Sequence, residues 1–131
     1  MRIHHIGIAV SDLDESIGLY TTVFGAVLNH RSTSESEGQE TALLRAGEVE
    51  LELMKPLRAD SAVGRFVARR GPGMHHVAFA VSDIKKALSE AQEAGLQLID
   101  TEPRIGVHGS PIAFVHPKSV GGVLTEFVES E

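Results

Sequence analysis

The sequence predicts an α+β fold: two tandem βαβββ modules whose strands form one curved mixed sheet with a cup on its open face. Three observations lead there. The stretch "IHHIGIAVSDL" (Ile3–Leu13) returns as "MHHVAFAVSDI" (Met74–Ile84), an offset of 71 residues. Each copy then passes from an alternating pattern to a helical one, and from there back to strands. Neither half, at about 55–65 residues, would bury much core alone, so the halves belong to one sheet.

The elements follow in order. Ile3–Val10 and Met74–Val81 alternate with a period of two and read as strands. Ser-Asp at 11–12 and again at 82–83 supplies helix caps. The first helix carries Leu13, Ile17, Tyr20 and Phe24 on one stripe, and the second carries Ile84, Leu88, Ala91 and Ala94. Gly25 and Gly95 close them as C′ residues. Further strands are expected at 26–33, 40–46 and 48–54, and at 97–101, 111–115 and 122–128. The polar run "STSESEGQ" (32–39) reads as a mobile loop. "PLRADSAVGRFVARRGPG" (56–73) reads as a linker with a short helix capped by Asp60 or Ser61. Module one thus covers about 1–57, the linker helix about 58–73 and module two about 74–131, all within one domain spanning 1–131.

Composition narrows the function. The 131 residues are 42% hydrophobic and 23% charged, ordinary for a globular protein. No apolar run approaches the roughly 18 residues of a membrane span, and no signal peptide is read at the N-terminus, so a cytoplasmic protein without a membrane partner is expected. The absence of cysteine excludes disulfides and thiolate metal sites. A formal charge of -6, one Tyr and no Trp argue against nucleic acid. Arg65, Arg69, Arg70 and Lys118 can still form a local basic rim for an anionic small molecule.

Alternation divides each histidine pair between two faces. His5 shares a face with Gly7 and Ala9, and His76 with Ala78 and Ala80. His4 and His75 fall with bulky residues such as Ile6, Ile8, Val77 and Phe79. Small residues leave volume for something else, so His5 and His76 look into the cup. The competing reading is that all four histidines are structural. The last strand of each module adds a glutamate among apolar neighbours, Glu52 and Glu126, lying 47 and 50 residues after its histidine. A buried carboxylate is costly unless paired or metal-bound. Its bland alternative is a solvent-facing edge position, which Glu48 and Glu50 fit. His5, Glu52, His76 and Glu126 together form a sulfur-free set suited to Co, Ni, Mn, Fe or Zn with open coordination positions, which makes the cup a metal-binding cup.

Those residues resemble the vicinal oxygen chelate superfamily (glyoxalase/bleomycin resistance/dioxygenase), and within it the methylmalonyl-CoA epimerases. The similarity runs from His4 to Val128. It is densest in "HHIGIAVSDLDESIGLY", "ELMKPLRADSAVGRFV", "GPGMHHVAFAVSDI" and "AFVHPKSVGGVLTEF", of which the second and fourth are specific to the epimerases. The resemblance implies metal ligands at His5, Glu52, His76 and Glu126, with glutamine standing at the Glu52 position in some epimerases. It implies a Co-like divalent cation, an acyl-CoA substrate and epimerisation at C2 of methylmalonyl-CoA, with Glu126 as ligand and catalytic base. Inversion needs a second group on the opposite face of the carbon. Several epimerases have a glutamate three residues past a glycine, but counting from Gly38 gives Thr41, with Glu40 one residue earlier on the other face. Glu40 and Glu50 are the remaining candidates.

"HPKS" (116–119) offers Lys118 to a carboxylate or phosphate, and "RIGVHGS" (104–110) reads as a cover carrying His108. Two other functions fit the same fold: a glyoxalase-I-type lyase acting on a glutathione hemithioacetal, and a metal-free binding protein of the antibiotic-sequestering kind. The four ligands do not separate the first from the epimerase, whereas "HPKS" and "PLRADS" favour the epimerase. Open sheet edges favour a homodimer.

Overall fold

The computed structural model describes residues 1–130. Strands β1 (Arg2–Ala9), β2 (Val27–Ser34), β3 (Gln39–Ala46) and β4 (Val49–Pro56) surround helix α1 (Leu13–Thr22) in sequence, and helix α2 (Ala62–Arg70) follows. The pattern returns as β5 (Gly73–Val81), α3 (Ile84–Glu93), β6 (Arg104–Ile105), β7 (Pro111–Val115), a 3₁₀ turn at Pro117–Ser119, and β8 (Thr125–Glu129). The order β2-β3-β4-β1-β5-β8-β7-β6 makes an eight-stranded sheet. It mixes parallel pairs (β1 with β4, β5 with β8) with antiparallel ones. The expected α+β class and the two βαβββ modules are therefore found. No helix among the described residues is long and apolar enough to cross a membrane.

The chain divides into two compact units, His5–His75 and Met1–His4 with the residues from His76 onward. In the first, one sheet face packs on α1 through Val10, Leu13, Ala26, Ala42, Leu44 and Leu53. The other face meets α2, where Ala9 and Met54 pack on Val63, Phe66 and Val67. In the second unit Val81 and Ala113 pack on Ile84, Ala87 and Leu88 of α3.

Each helix starts where a side chain satisfies an otherwise unpaired N–H. Asp12 accepts from the Glu15 N–H at 3.0 Å, Asp83 from Lys86 at 3.1 Å and Ser61 from Gly64 at 2.9 Å. Glu129 also accepts from the Ile84 N–H at 3.0 Å, tying β8 to the start of α3. Gly95 follows the Ala94 cap of α3 with φ 86°, the left-handed conformation that favours glycine.

Five expectations change. The stripe on α1 ends early: the helix stops at Thr22, and Phe24 lies beyond it, 68% exposed. The run 32–39 is half strand, since β2 reaches Ser34 and β3 begins at Gln39. Its turn is held by Arg58, which donates to the Glu35 carbonyl at 2.9 Å, and by the Leu57 N–H bond to Gly38 at 2.8 Å. Residues 97–101 form no strand; a single bridge joins Leu98 to Val115. There the Asp100 carboxylate accepts from the Phe114 N–H at 2.8 Å, a place a strand carbonyl would fill, and Pro103 has no N–H to give. Arg104–Ile105 instead pairs with β7, so 104–110 is a hairpin rather than a loose cover. Finally, β8 begins at Thr125, because Gly121 and Gly122, with φ 75° and 90°, turn the chain just before it.

Candidate metal centre

Each unit builds an imidazole–carboxylate pair by the same construction. In the first, β1 and β4 run parallel with Gly7 opposite Glu52. His5, two residues before Gly7, shares that face by alternation. His5 and Glu52 are both 4% exposed, with His5 Nε2 3.8 Å from Glu52 Oε1. In the second, β5 and β8 run parallel with Ala78 opposite Glu126. His76, again two residues earlier, sets its Nε2 3.1 Å from Glu126 Oε1, and both residues are buried. The histidine-plus-two position is small in both units, which leaves room for the glutamate to lean toward its imidazole. The Phe114 ring stands edge-on to His76, centroids 5.8 Å apart, and holds the imidazole plane.

Ligand atoms of His5, Glu52 and His76 all lie within 4.8 Å of one another. Glu126 stands against His76, its Oε1 3.1 Å from His76 Nε2. The donors are nitrogen and oxygen with no sulfur, and two buried carboxylates carry charge that a divalent cation would balance. Two donors each about 2.1 Å from one ion stand about 3.0 Å apart at a right angle and about 4.2 Å apart when opposed. The 3.8 Å and 3.1 Å separations fall inside that span. The residues therefore fit a divalent cation.

His4 and His75 are half-buried, and the His75 ring meets Phe66 of α2 at 4.8 Å. Glu40 lies on the α1 face, not the Glu52 face. It accepts from Arg31 Nε at 3.1 Å and Nη2 at 3.0 Å, while Arg31 Nη1 reaches Asp14 of α1. The bond to Asp14, then that to Glu40, holds the Arg31 guanidinium above its already high usual pKa. No slip turns Glu40 inward, because Thr41 remains opposite Met54 and Leu43 opposite Glu52. Glu50 shares the Glu52 face, half-buried, opposite His5 and Arg45. Lys118 is exposed in the 3₁₀ turn, its N–H bound to His116 Nδ1 at 3.0 Å. His108 is exposed in the hairpin turn after β6. Sequence reasoning passed over Gln39, which the structure buries with Thr41 on the Glu52 face of β3.

Residues 4–114 match the family model of the glyoxalase/bleomycin resistance protein/dioxygenase superfamily. The chain belongs to this superfamily. Among relatives in it, the ethylmalonyl-CoA/methylmalonyl-CoA epimerase of Cereibacter sphaeroides is 32% identical over 127 residues, covering 95% of both chains. The crystal structure of methylmalonyl-CoA epimerase from Mycobacterium tuberculosis has a TM-score of 0.91 at 37% identity, over 98% of this chain and 87% of that one. A variant of the Streptomyces coelicolor methylmalonyl-CoA epimerase, in complex with 2-nitronate-propionyl-CoA, has a TM-score of 0.91 at 40% identity, over 99% and 94%. Within the superfamily, then, the chain resembles its epimerases, which are isomerases, over nearly its whole length.

Proposed function

We propose that this chain is a metal-dependent methylmalonyl-CoA epimerase, a single domain in which His5, Glu52, His76 and Glu126 hold one divalent cation. The observation that carries the reading is the imidazole–carboxylate pair built twice with the same register, Glu52 opposite Gly7 and Glu126 opposite Ala78. Similarity to epimerases over nearly the full length supports the substrate. Co²⁺ is the proposed metal, with Mn²⁺, Ni²⁺, Zn²⁺ or Fe²⁺ as substitutes. The setting is a cytoplasmic homodimer acting on propionate-derived acyl-CoA.

The proton next to a thioester carbonyl is far less acidic than a carboxylic acid, so a carboxylate alone removes it slowly. Bound there, the cation supplies Lewis-acid stabilisation of negative charge on the acyl oxygens. The chain's own residues do the rest. His5 and His76 would hold the cation through Nε2, the atom each directs toward its glutamate. Glu126 takes the α-proton from C2 as general base, and the buried, small-residue face keeps bulk water from competing. A solvent-derived proton delivered to the opposite face of C2 completes the inversion.

The test is solvent-deuterium incorporation at C2 of methylmalonyl-CoA, with and without added Co²⁺. Metal-dependent exchange and interconversion of both epimers are expected. Turnover of the glutathione hemithioacetal of methylglyoxal in place of methylmalonyl-CoA would overturn the reading in favour of a lyase. Less than about 0.2 Co per chain after reconstitution would favour a metal-free binder.

A further inference from the structure

The β3 strand carries a buried polar pair that packing does not explain. Its even positions Ala42 and Leu44 lie in the α1 core, whereas Gln39 and Thr41 point to the other face, the one bearing His5 and Glu52. Thr41 is 3% exposed and Gln39 7%, as enclosed as the histidine and glutamate beside them. Burying an amide and a hydroxyl costs free energy, and valine at position 41 would fill nearly the same volume without that cost.

The hydrogen bonding gives the pair a direction. Gln39 Nε2 donates to Thr41 Oγ1 at 2.9 Å. With its oxygen accepting from that amide, the hydroxyl is set to donate its own proton elsewhere. Among the described residues no hydrogen bond carries that proton to an acceptor. Leu43 stands opposite Glu52 and Thr41 opposite Met54, so Thr41 is the diagonal neighbour of Glu52 on one face.

We infer that Thr41 is a hydrogen-bond donor to an acyl oxygen of the substrate, with Gln39 as the positioning residue that fixes its orientation. The inference rests on the epimerase reading and assigns a contact within it. Thr41 has no carboxylate and moves no α-proton. Its bond to the acyl oxygen strengthens as negative charge grows there, so its effect belongs to kcat rather than to ground-state binding.

The experiment compares Thr41→Val, Thr41→Ser and Gln39→Leu with the wild-type chain, all loaded with Co²⁺. Thr41→Val is expected to lower kcat on methylmalonyl-CoA by roughly tenfold to a hundredfold, with KM changed by less than about threefold. Its affinity for 2-nitronate-propionyl-CoA, whose charged oxygens mimic the developing oxyanion, falls by a similar factor. Co²⁺ content and melting temperature stay at wild-type values. Thr41→Ser restores kcat to within about threefold, and Gln39→Leu gives a smaller kcat loss than Thr41→Val. An active wild-type chain whose Thr41→Val variant keeps both kcat and nitronate affinity overturns the Thr41 assignment alone. Equal losses in Thr41→Val and Thr41→Ser also overturn it, because packing would then be the cause. A wild-type chain that neither epimerises methylmalonyl-CoA nor binds the nitronate overturns the epimerase reading and the assignment with it.

Discussion

Replacing Glu126 by glutamine separates proton transfer from folding. The side chain is buried, with Oε1 3.1 Å from His76 Nε2. Glutamine keeps its length and an oxygen able to face the imidazole, but its amide does not accept the α-proton. Loss of a general base costs roughly 10²- to 10⁴-fold in rate, about 2.7–5.4 kcal/mol of transition-state stabilisation. Folding loses much less. One charge-assisted contact becomes a neutral one while the site stays filled, so the penalty is about 1–2 kcal/mol. Deuterium incorporation at C2 of methylmalonyl-CoA, read by mass spectrometry for each epimer separately, measures the first effect, and thermal denaturation measures the second. A variant that exchanges within tenfold of the wild-type rate would refute Glu126 as base. A variant that fails to fold would refute the account of the His76 pair as tolerant of a neutral partner.

Glu40→Gln is expected to leave the epimerisation rate within about twofold and stability within about 1 kcal/mol, since it removes one exposed ion pair on the α1 face; a tenfold rate loss would restore Glu40 as the second base. His5→Ala and His76→Ala should lose bound Co²⁺ on dialysis while His4→Gln and His75→Gln retain it, read by metal analysis of untagged protein. The reverse pattern would invalidate the face assignment. Gly64→Ala should lower the melting temperature by roughly 5–15 °C, because the added Cβ would press on the Arg58 carbonyl oxygen and stand 2.8 Å from that of Ala59, disturbing the Ser61 cap. Gly18→Ala, also within a helix but with open space around its Cβ, should instead raise it by a few degrees, about 0.5–1 kcal/mol.

The parts of the fold written in short-range pattern were legible. The repeat gave both first strands, and alternation put His5 and His76 on the face of small residues, where the structure buries them beside Glu52 and Glu126. Asp12, Asp83 and Ser61 cap helices as their chemistry requires. What escaped was decided by partners distant in sequence. The turn at 35–38 looked loose because its own residues are polar, yet Arg58, more than twenty positions away, holds the Glu35 carbonyl. The alternating run at 97–101 lost its strand to the Asp100 side chain, whose bond to Phe114 depends on β7 being alongside. Phe24 fitted the helical stripe but follows the end of α1, where burial is no longer dictated by the stripe. In the candidate centre, Gln39 went unnoticed because its importance lies in the bond to Thr41, which strand alternation alone does not reveal.

The duplicated pairs also explain why first and last strands of each module run parallel. An antiparallel neighbour needs only a short hairpin, but a parallel one requires a crossover, so the module spends α1 and two strands, or α3 and two strands, in returning. That detour brings a strand with independent sequence beside the histidine strand, and their relative register becomes a separate choice. Both modules make the same choice: the glutamate stands opposite the residue two past the histidine. A slip of one residue would turn Glu52 toward the α1 core, where Leu53 and Leu51 now pack, and Glu126 toward Phe127's place against α3. The apolar neighbours that make these carboxylates look out of place in the sequence are thus what fixes their face. Leu53 and Phe127 hold the register by burying themselves on one side, and the glutamates beside them are obliged to point to the other.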